Sequence, residues 1–230
     1  MIMKTHVIIP AAGQGRRFGS IKQLEMLEGK PLLFHTLEAF EVCRAVSGII
    51  LAVPESEMEG IRVLVEKSGL KKILKILSGG KERQGSVGKS FQWIPPCDVV
   101  LVHDGVRPFV TSQMIEGVIA AAQDYGACVV GLPVRETMKE VGADRNVVRT
   151  VDRSRLWSVQ TPQAFRYDIF KTALAKAEVD GFSGTDEAML VERMGLKVKM
   201  IEGSPDNIKI TLPEDFKIAE ALLKLRRSQG

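Results

Sequence analysis

His6-Val-Ile-Ile-Pro-Ala-Ala-Gly-Gln-Gly-Arg-Arg-Phe-Gly19 joins a short apolar run to a glycine-rich turn near the start of the chain. Residues 6–9 are apolar and rich in β-branched side chains, which indicates a strand. Glycines directly after a strand let the backbone approach an anion closely, and exposed N–H groups then bind phosphate oxygens. The stretch therefore predicts a strand that ends at a phosphate-binding loop.

This loop differs from the two common nucleotide-binding motifs. A GxGxxG fingerprint that starts at Gly13 and Gly15 needs glycine at position 18, where Phe18 stands, and the chain contains no GxxxxGK[ST] spacing. Arg17 and Lys22 instead add positive charge beside the glycines. Fixed cations at a glycine loop suit a triphosphate, and the alternative is a structural turn with solvated arginines.

Short apolar runs and longer amphipathic stretches alternate along the rest of the chain. Strands are predicted at 49–53, 73–77, 99–102, 127–130 and 197–201, and helices at 31–40, 56–67, 84–93, 111–125, 167–177 and 186–194. Residues 207–211 follow as an edge-like strand, and Thr211-x-x-Glu214 is a capping-box pattern that opens a final helix. This order predicts an α/β fold with a mostly parallel central sheet and helices on both faces. No Gly/Ser/Pro-rich linker occurs, so residues 1–230 are interpreted as one domain.

Residues 134–151 break the alternation. The segment is polar, contains β-branched residues and has turn-forming residues at 142–146, which predicts a β-hairpin arm. An isolated hairpin is marginally stable in water. We therefore expect the arm to pair with the same arm of a second subunit, and the alternative is that it lies on its own domain.

Composition excludes several classes of protein. The chain has 230 residues, of which 45% are hydrophobic, and a net charge of +4, which excludes an intrinsically disordered chain. This mild charge is not that of a nucleic-acid binder. No apolar run approaches about 18 residues and no signal peptide is recognised, so no membrane association is expected. Cys43, Cys97 and Cys128 form no CxxC motif and are expected to be structural thiols of a cytoplasmic protein.

A second motif, Val102-His-Asp-Gly-Val-Arg-Pro108, follows the predicted strand 99–102. Ligands of open α/β sheets bind at the carboxyl ends of the strands. Asp104 at such an end is suited to hold a ribose hydroxyl or a hydrated Mg²⁺. Arg107 is suited to pair with phosphate or with Asp104, and in the alternative reading these two residues only satisfy each other. His103 is interpreted as a structural hydrogen-bonding group.

Five further motifs are individually weak. They are Gly79-Gly-Lys-Glu-Arg-Gln-Gly-Ser86, Glu136-Thr-Met-Lys139, Arg153-Ser-Arg-Leu-Trp-Ser-Val-Gln-Thr-Pro-Gln163, Thr185-Asp-Glu187 and Asn207-Ile-Lys-Ile-Thr211. Read singly, they are a turn, a charged arm, a polar loop, the start of a helix and a strand. Their joint occurrence in this order is far more specific.

Taken together, the motifs resemble the 2-C-methyl-D-erythritol 4-phosphate cytidylyltransferase family from Pro10 to about Ala219. The resemblance implies a Rossmann-like nucleotidyltransferase fold. It also implies the reaction of CTP with 2-C-methyl-D-erythritol 4-phosphate to give 4-diphosphocytidyl-2-C-methyl-D-erythritol and pyrophosphate, in non-mevalonate isoprenoid precursor synthesis. Three residues depart from the family pattern. Ile21 replaces a usual proline, Glu136 replaces a usual aspartate, and Lys81 stands where some members have an acidic residue, which puts a side-chain contact to the base there in doubt.

The residues that the resemblance implies divide by role. Catalysis at the α-phosphate is assigned to Arg17, Lys22 and Lys209. Nucleotide binding is assigned to Pro10, Ala11, Ala12, Gly13, Gly15, Gly80, Ser86 and Asp104. Acceptor binding is assigned to Arg107, Thr137, Arg153 and Thr185, of which Thr137 and Arg153 would come from the neighbouring subunit of a homodimer. The implied cofactor is Mg²⁺ or another divalent cation, with Asp104 as its candidate ligand.

Two alternatives remain at this point. A sister cytidylyltransferase that uses ribitol 5-phosphate would share the loop and the arm, and only the acceptor separates the two enzymes. A nucleotide-binding regulatory module without turnover would bind CTP but release no pyrophosphate. Such a module would not need Arg17, Lys22 and Lys209 together, so their joint presence favours an enzyme.

Overall fold

A seven-stranded sheet forms the centre of the computed structural model, which describes residues 3–13 and 21–228. Its strands lie side by side in the order β11 (Lys199–Glu202), β7 (Ala127–Pro133), β10 (Trp157–Arg166), β6 (Val99–Val102), β1 (Thr5–Pro10), β4 (Gly48–Val53) and β5 (Ile73–Ser78). Strand β10 is antiparallel to both of its neighbours, and the other neighbouring strands are parallel. The predicted mostly parallel sheet is confirmed.

Helices cover both faces of this sheet. They are α1 (Leu32–Val42), α2 (Met58–Ser68), α3 (Arg83–Phe91), α4 (Ser112–Tyr125), α5 (Tyr167–Val179) and α6 (Ala188–Arg193). Helix α7 (Glu214–Ser228) instead packs in a third apolar cluster with Leu27, Phe109 and Ile210. Apolar residues of α1, α2 and α4 form one core with the sheet, and those of α3, α5 and α6 form a second core. Because both faces are covered, every residue of β4 and β6 is buried. The α/β fold expected from the sequence is therefore confirmed.

The central strand β10 corrects one prediction. Residues 153–163 were expected to form a polar loop, but Trp157–Arg166 is a strand between β6 and β7. Its polar side chains are buried with partners: Gln163 donates to Asp186 over 2.8 Å and accepts from the Ala188 N–H over 3.1 Å. Buried polar groups are tolerated when they are hydrogen-bonded, and hydrophobic periodicity does not reveal such a strand.

The start of the final helix corrects another prediction. Helix α7 begins at Glu214, and the Thr211 hydroxyl donates to the carbonyl of Lys209 instead of forming a capping box. The Asp215 carboxylate accepts from the N–H groups of Thr211 and Leu212 over 2.6 and 2.8 Å. An acidic residue in the first turn also suits the helix dipole, so Asp215 serves the role that the pattern assigned to Glu214.

The arm is an antiparallel hairpin of β8 (Met138–Val141) and β9 (Val147–Val151), as predicted. Its apolar side chains Met138, Val141, Val147 and Val148 are between 41% and 64% exposed. The arm is therefore not buried against its own domain. A second, unpredicted hairpin of β2 (Met26–Leu27) and β3 (Lys30–Pro31) turns through Glu28 and Gly29, both at positive φ.

All three cysteines are free thiols. Cys43 and Cys128 are buried, and burial raises the pKa of Cys128 to about 12 and that of the half-buried Cys97 to about 11. Thiols with raised pKa values are poor nucleophiles, as expected for structural cysteines. Within residues 3–13 and 21–228, no helix is both long enough and apolar enough to cross a membrane.

Thr111 caps α4, as predicted: its hydroxyl oxygen accepts from the Met114 N–H over 3.2 Å. We expect Thr111→Ala to lower the free energy of unfolding by about 1 kcal/mol, because one N–H of the first turn loses its acceptor. Urea titration measures this difference. Thr111→Ser keeps the acceptor and serves as the control, so an equal loss in both variants would contradict the capping role.

Candidate active site

A pocket of about 240 Å³ lies where β1 and β6 end, as predicted for ligand binding. Nine of the predicted site residues line it: Pro10, Ala11, Ala12, Gly13, Lys22, Gly80, Ser86, Asp104 and Lys209. Gly15 and Arg17 lie outside the described residues. The fold thus brings the described nucleotide and α-phosphate candidates to one place, although the sequence separates them by up to 199 residues, from Pro10 to Lys209.

The loop after β1 is fastened by Gln23, which the sequence analysis did not single out. Gln23 is buried, and its Nε2 donates to the carbonyls of Ala11 and Gly13, each over 2.8 Å. The same 3₁₀ turn carries Lys22, whose Nζ donates to the carbonyl of Ile210 over 3.0 Å. These hydrogen bonds hold the loop beside the pocket. The Lys22 ammonium lies at the edge of the pocket.

Asp104 is the centre of a cluster of charges. Its Oδ1 accepts from Arg83 Nε over 3.0 Å, and its Oδ2 accepts from Lys209 Nζ over 2.8 Å. Arg107 Nε lies 3.7 Å from Oδ2. Burial alone would raise the pKa of Asp104, but Arg83, Lys209 and Arg107 hold it well below its usual range. The carboxylate is therefore ionised at neutral pH, and Arg107 is only one of its three cationic partners.

Arg83 connects Asp104 to a second buried carboxylate. Its Nη1 contacts both carboxylate oxygens of Glu187, over 2.6 and 2.5 Å. Glu187 is only 1% exposed, and burial raises its pKa while Arg83 opposes that rise. Sequence reasoning gave neither residue a role. Both residues nevertheless stand inside quoted motifs. The opposite charges of Arg83 and Glu187 were the signal that the sequence offered.

The segment 207–211 was expected to be an edge-like strand, and that prediction is wrong. The segment is held by separate contacts: Arg107 Nη1 donates to the carbonyl of Asn207 over 2.7 Å, and the Ile210 N–H donates to the carbonyl of Val106 over 3.0 Å. These bonds fix the lysine of the segment at the pocket. The Arg107 side chain is 10% exposed. Its expected contact with the acceptor stays a prediction.

None of the four acceptor candidates lines the pocket, Arg107 included. Thr137 and Arg153 flank the arm, where both are exposed, and Arg153 Nη1 donates to the carbonyl of Arg135 over 2.5 Å. Thr185 precedes α6, and its hydroxyl points to the sulfur of Met189 at 3.9 Å. One chain therefore brings the described candidates for nucleotide binding into one pocket, while Thr137, Arg153 and Thr185 stand apart from it.

His103 is a structural residue in this site. Its Nε2 lies 3.1 Å from the carbonyl of Arg107, its Nδ1 lies 3.1 Å from Thr161 Oγ1, and its ring packs edge-on against Phe40. Burial lowers the pKa of His103 to about 4. The ring is therefore neutral and fully bonded, as expected from the sequence.

Residues 5–225 match the family described as IspD, 2-C-methyl-D-erythritol 4-phosphate cytidylyltransferase. The chain belongs to this family. The Bacillus velezensis 2-C-methyl-D-erythritol 4-phosphate cytidylyltransferase is 47% identical over 225 residues, which cover 96% of this chain and 97% of the relative. The Symbiobacterium thermophilum enzyme of the same name is 46% identical over 95% of this chain and 92% of its own length.

Solved structures of IspD proteins share the fold. The 4-diphosphocytidyl-2C-methyl-D-erythritol synthase of Anaerococcus prevotii superposes with a TM-score of 0.84 at 28% identity, over 96% of this chain and 98% of that one. The Thermus thermophilus 2-C-methyl-D-erythritol 4-phosphate cytidylyltransferase gives 0.80 at 35% identity, over 95% and 98%. The chain is therefore a cytidylyltransferase of the non-mevalonate route to isoprenoids, as the motif series implied.

The buried neutral state of His103 makes stability depend on pH. Its folded pKa of about 4 lies below the ordinary value of 6.5, so between these values the unfolded chain binds more protons. We expect up to about 3 kcal/mol of the unfolding free energy to be lost as pH falls from 6.5 to 4. Urea titrations across this range measure the slope.

His103→Gln is the matched variant, because it removes this titration and leaves His6 and His35, whose pKa values burial also lowers. The comparison uses the pH slope of the unfolding free energy and not its absolute size, since the substitution itself changes packing. The variant should lose the part of the slope that belongs to His103. Identical slopes in both proteins would contradict this account.

Proposed function

We propose that the chain transfers the cytidylyl group of CTP to 2-C-methyl-D-erythritol 4-phosphate, giving 4-diphosphocytidyl-2-C-methyl-D-erythritol and pyrophosphate. The observation that carries this proposal is the pocket in which Lys22 and Lys209 flank a glycine loop and Asp104, in a chain of the IspD family. Two ammonium groups beside a glycine-rich loop suit a nucleoside triphosphate.

The reaction is an attack of an acceptor phosphate oxygen on the α-phosphorus of CTP. A new bond joins that oxygen to the α-phosphorus, and the bond between the α-phosphorus and the bridging oxygen of pyrophosphate breaks. The second pKa of a phosphate monoester is about 6, so the nucleophile is already largely ionised at neutral pH. No general base is needed, which agrees with a pocket that no histidine lines among the described residues. The neighbouring His103 is buried and bonded at both nitrogens.

Lys22 and Lys209 supply charge for this step. Negative charge accumulates around the α-phosphorus in the transition state, and fixed cations stabilise it without reorganising. Lys22 is oriented by the carbonyl of Ile210 and Lys209 by Asp104, so both ammonium groups are held before a ligand arrives. Arg17 is proposed as a third cation on the same loop.

The turn at residues 79–80 supports a narrow base pocket. The Gly80 N–H donates to Ser86 Oγ over 2.9 Å, and a Cβ on Gly80 would lie 2.7 Å from the carbonyl carbon of Gly85. A Cβ on Gly79 would overlap that of Ala12. Because the turn packs this closely against its neighbours, we propose that it accepts cytosine and excludes a purine. Ala11 completes this wall, and Gly13 and Gly15 donate backbone N–H groups to the phosphates.

A divalent cation fits the donor set of the site. Asp104 is an ionised carboxylate in the pocket, and no group of three metal-ligating side chains occurs in the described part of the chain. Mg²⁺ commonly binds through one or two carboxylates and the phosphates of the substrate. We therefore propose Mg²⁺ as cofactor, with Asp104 as its protein ligand. When bound, it would neutralise charge on the triphosphate.

We propose that the active enzyme is a homodimer joined through the arm. The exposed apolar side chains of β8 and β9 support a protein partner for this hairpin. Thr137 and Arg153 do not line the pocket of their own chain. In a symmetric dimer these two residues would reach the partner's pocket and bind the acceptor, with Arg107 and Thr185 on the same side.

The free thiols support a reducing compartment, and we propose that the enzyme is cytoplasmic. Cys43 and Cys128 are buried, and all three cysteines are unpaired in the described structure. Fractionation of cells followed by immunodetection of the chain tests this location.

Pyrophosphate release tests the proposed reaction. Purified protein with CTP, Mg²⁺ and 2-C-methyl-D-erythritol 4-phosphate should release one pyrophosphate for each cytidylylated product. Replacing the acceptor by ribitol 5-phosphate should abolish most of the release. Faster release with ribitol 5-phosphate would assign the other acceptor, and CTP binding without any release would indicate a regulatory module.

Lys22→Ala should lower kcat by about 10²- to 10³-fold, because one fixed charge at the α-phosphate is lost. The midpoint of thermal unfolding should change little, since Lys22 lies at the edge of the pocket. Lys171→Ala, an exposed lysine on α5, is the control and should keep full activity. A parallel loss of folded protein would show that Lys22 acts on structure, and unchanged kcat would contradict its role.

Mixing two impaired variants, at an acceptor concentration too low to saturate Arg153→Ala, tests whether the site is composite. Lys22→Ala damages the pocket of its own chain, and Arg153→Ala is expected to damage the partner's pocket by weakening acceptor binding. In random dimers half are mixed, and each mixed dimer has one intact site of two, so activity should recover to about one quarter of wild type. Steady-state rates after co-refolding measure this recovery. No recovery would place Arg153 in the pocket of its own chain.

A further inference from the structure

Behind the nucleotide pocket lies a carboxylate that does not itself line it. Glu187 is 1% exposed, and its carboxylate holds Arg83 Nη1 through both oxygens. Arg83 lines the pocket and turns its Nε toward Asp104 Oδ1. One guanidinium therefore bridges two carboxylates, of which only Asp104 is a candidate for contact with the ligand.

The geometry of this bridge restricts how Arg83 moves. A guanidinium is planar and carries its donors in a fixed fork, so its Nε and Nη1 bonds hold the group at two edges. Rotation of the plane away from Asp104 would also break the two contacts with Glu187. Glu187 thus keeps Arg83 turned toward Asp104.

The charges lead to the same conclusion. Asp104 faces Arg83, Lys209 and Arg107, so three cations converge on one buried carboxylate. Without a second anion, the cluster would carry an excess of two positive charges around a carboxylate whose side chain is only 8% exposed. Buried charges without compensation are costly. Glu187 reduces this excess to one positive charge. Lys209 is the most exposed of the three cations and is therefore the group that can turn to a ligand.

We propose that Glu187 is a positioning residue for the nucleotide: it fixes Arg83, and Arg83 fixes the orientation of Asp104. The proposal rests on the proposed function, in which Asp104 contacts the ribose or the cation bound to CTP. It makes Glu187 a determinant of CTP affinity although its side chain does not reach the pocket.

A merely structural role for Glu187 predicts something different. The segment before Glu187 is clamped to α3, where Gln84 Nε2 donates to the carbonyl of Phe182 and Gln84 Oε1 accepts from the Gly184 N–H, each over 2.8 Å. The same segment carries Thr185, a candidate for acceptor binding. If Glu187 served only to hold this segment, its loss would weaken acceptor binding, as would the loss of Gln84.

Calorimetric titration with CTP and Mg²⁺ separates the two roles, together with steady-state kinetics for the acceptor. Glu187→Gln keeps the size of the side chain and removes its charge, and we expect the Kd for CTP to rise about tenfold while the acceptor KM stays within twofold. Gln84→Ala is the matched control: it loosens the segment without touching Asp104, so its Kd for CTP should stay within twofold. Unchanged CTP affinity in Glu187→Gln, or equal effects in both variants, would overturn the proposal.

Arg83→Lys keeps the test decisive if Glu187→Gln does not fold. A lysine retains the charge but cannot bridge both carboxylates, so CTP affinity should again fall about tenfold. The double variant should be no weaker than Arg83→Lys alone, because Glu187 acts through Arg83. Multiplying effects, or wild-type affinity in Arg83→Lys, would overturn the proposal. Failure of the wild-type chain itself to bind CTP would instead contradict the proposed function.

Discussion

The ionised carboxylate of Asp104 is the point on which the architecture of the site depends. It receives Arg83 from the start of α3, Lys209 from the segment before α7, and Arg107 from the turn after β6. Arg107 lies only three positions from Asp104, whereas Arg83 and Lys209 come from other segments of the chain. A buried carboxylate is stable only with such partners, so the fold that buries Asp104 must also bring these cations to it. In the proposed reaction, Lys209 both stabilises Asp104 and meets the triphosphate.

The sheet topology makes this convergence geometrically straightforward. Parallel strands β1 and β6 end side by side, so the loops that follow them share one edge of the sheet. The antiparallel strand β10 then passes β6 in the opposite direction and brings Thr161 under the site, where its hydroxyl accepts from the Asp104 N–H over 3.1 Å. Thr161 also bonds His103, which in turn contacts the carbonyl of Arg107. A polar residue of a central strand therefore holds the turn that carries Asp104.

Patterns of apolar residues were enough to predict the parallel part of the fold. Strands β4 and β6 are buried on both faces and read as continuous apolar runs, and the amphipathic helices between them are unambiguous. The same rule failed for β10, because Gln160, Thr161 and Gln163 are buried through hydrogen bonds and not through hydrophobicity. It also failed for 207–211, whose position depends on Arg107, about 100 residues away. Local periodicity contains no information on such distant partners.

For the site, motifs predicted which residues converge but not how they are held. Lys22, Asp104 and Lys209 line one pocket, as expected, whereas Glu187 and Gln23 emerged only from the structure. The reason is physical: a group that meets a ligand must carry a particular charge, and that requirement is visible in the sequence. A group that orients another depends on a distance and an angle. The net charge of +4 is not spread evenly over the surface. Buried carboxylates hold some of the basic side chains at one pocket, so part of the positive charge is concentrated there.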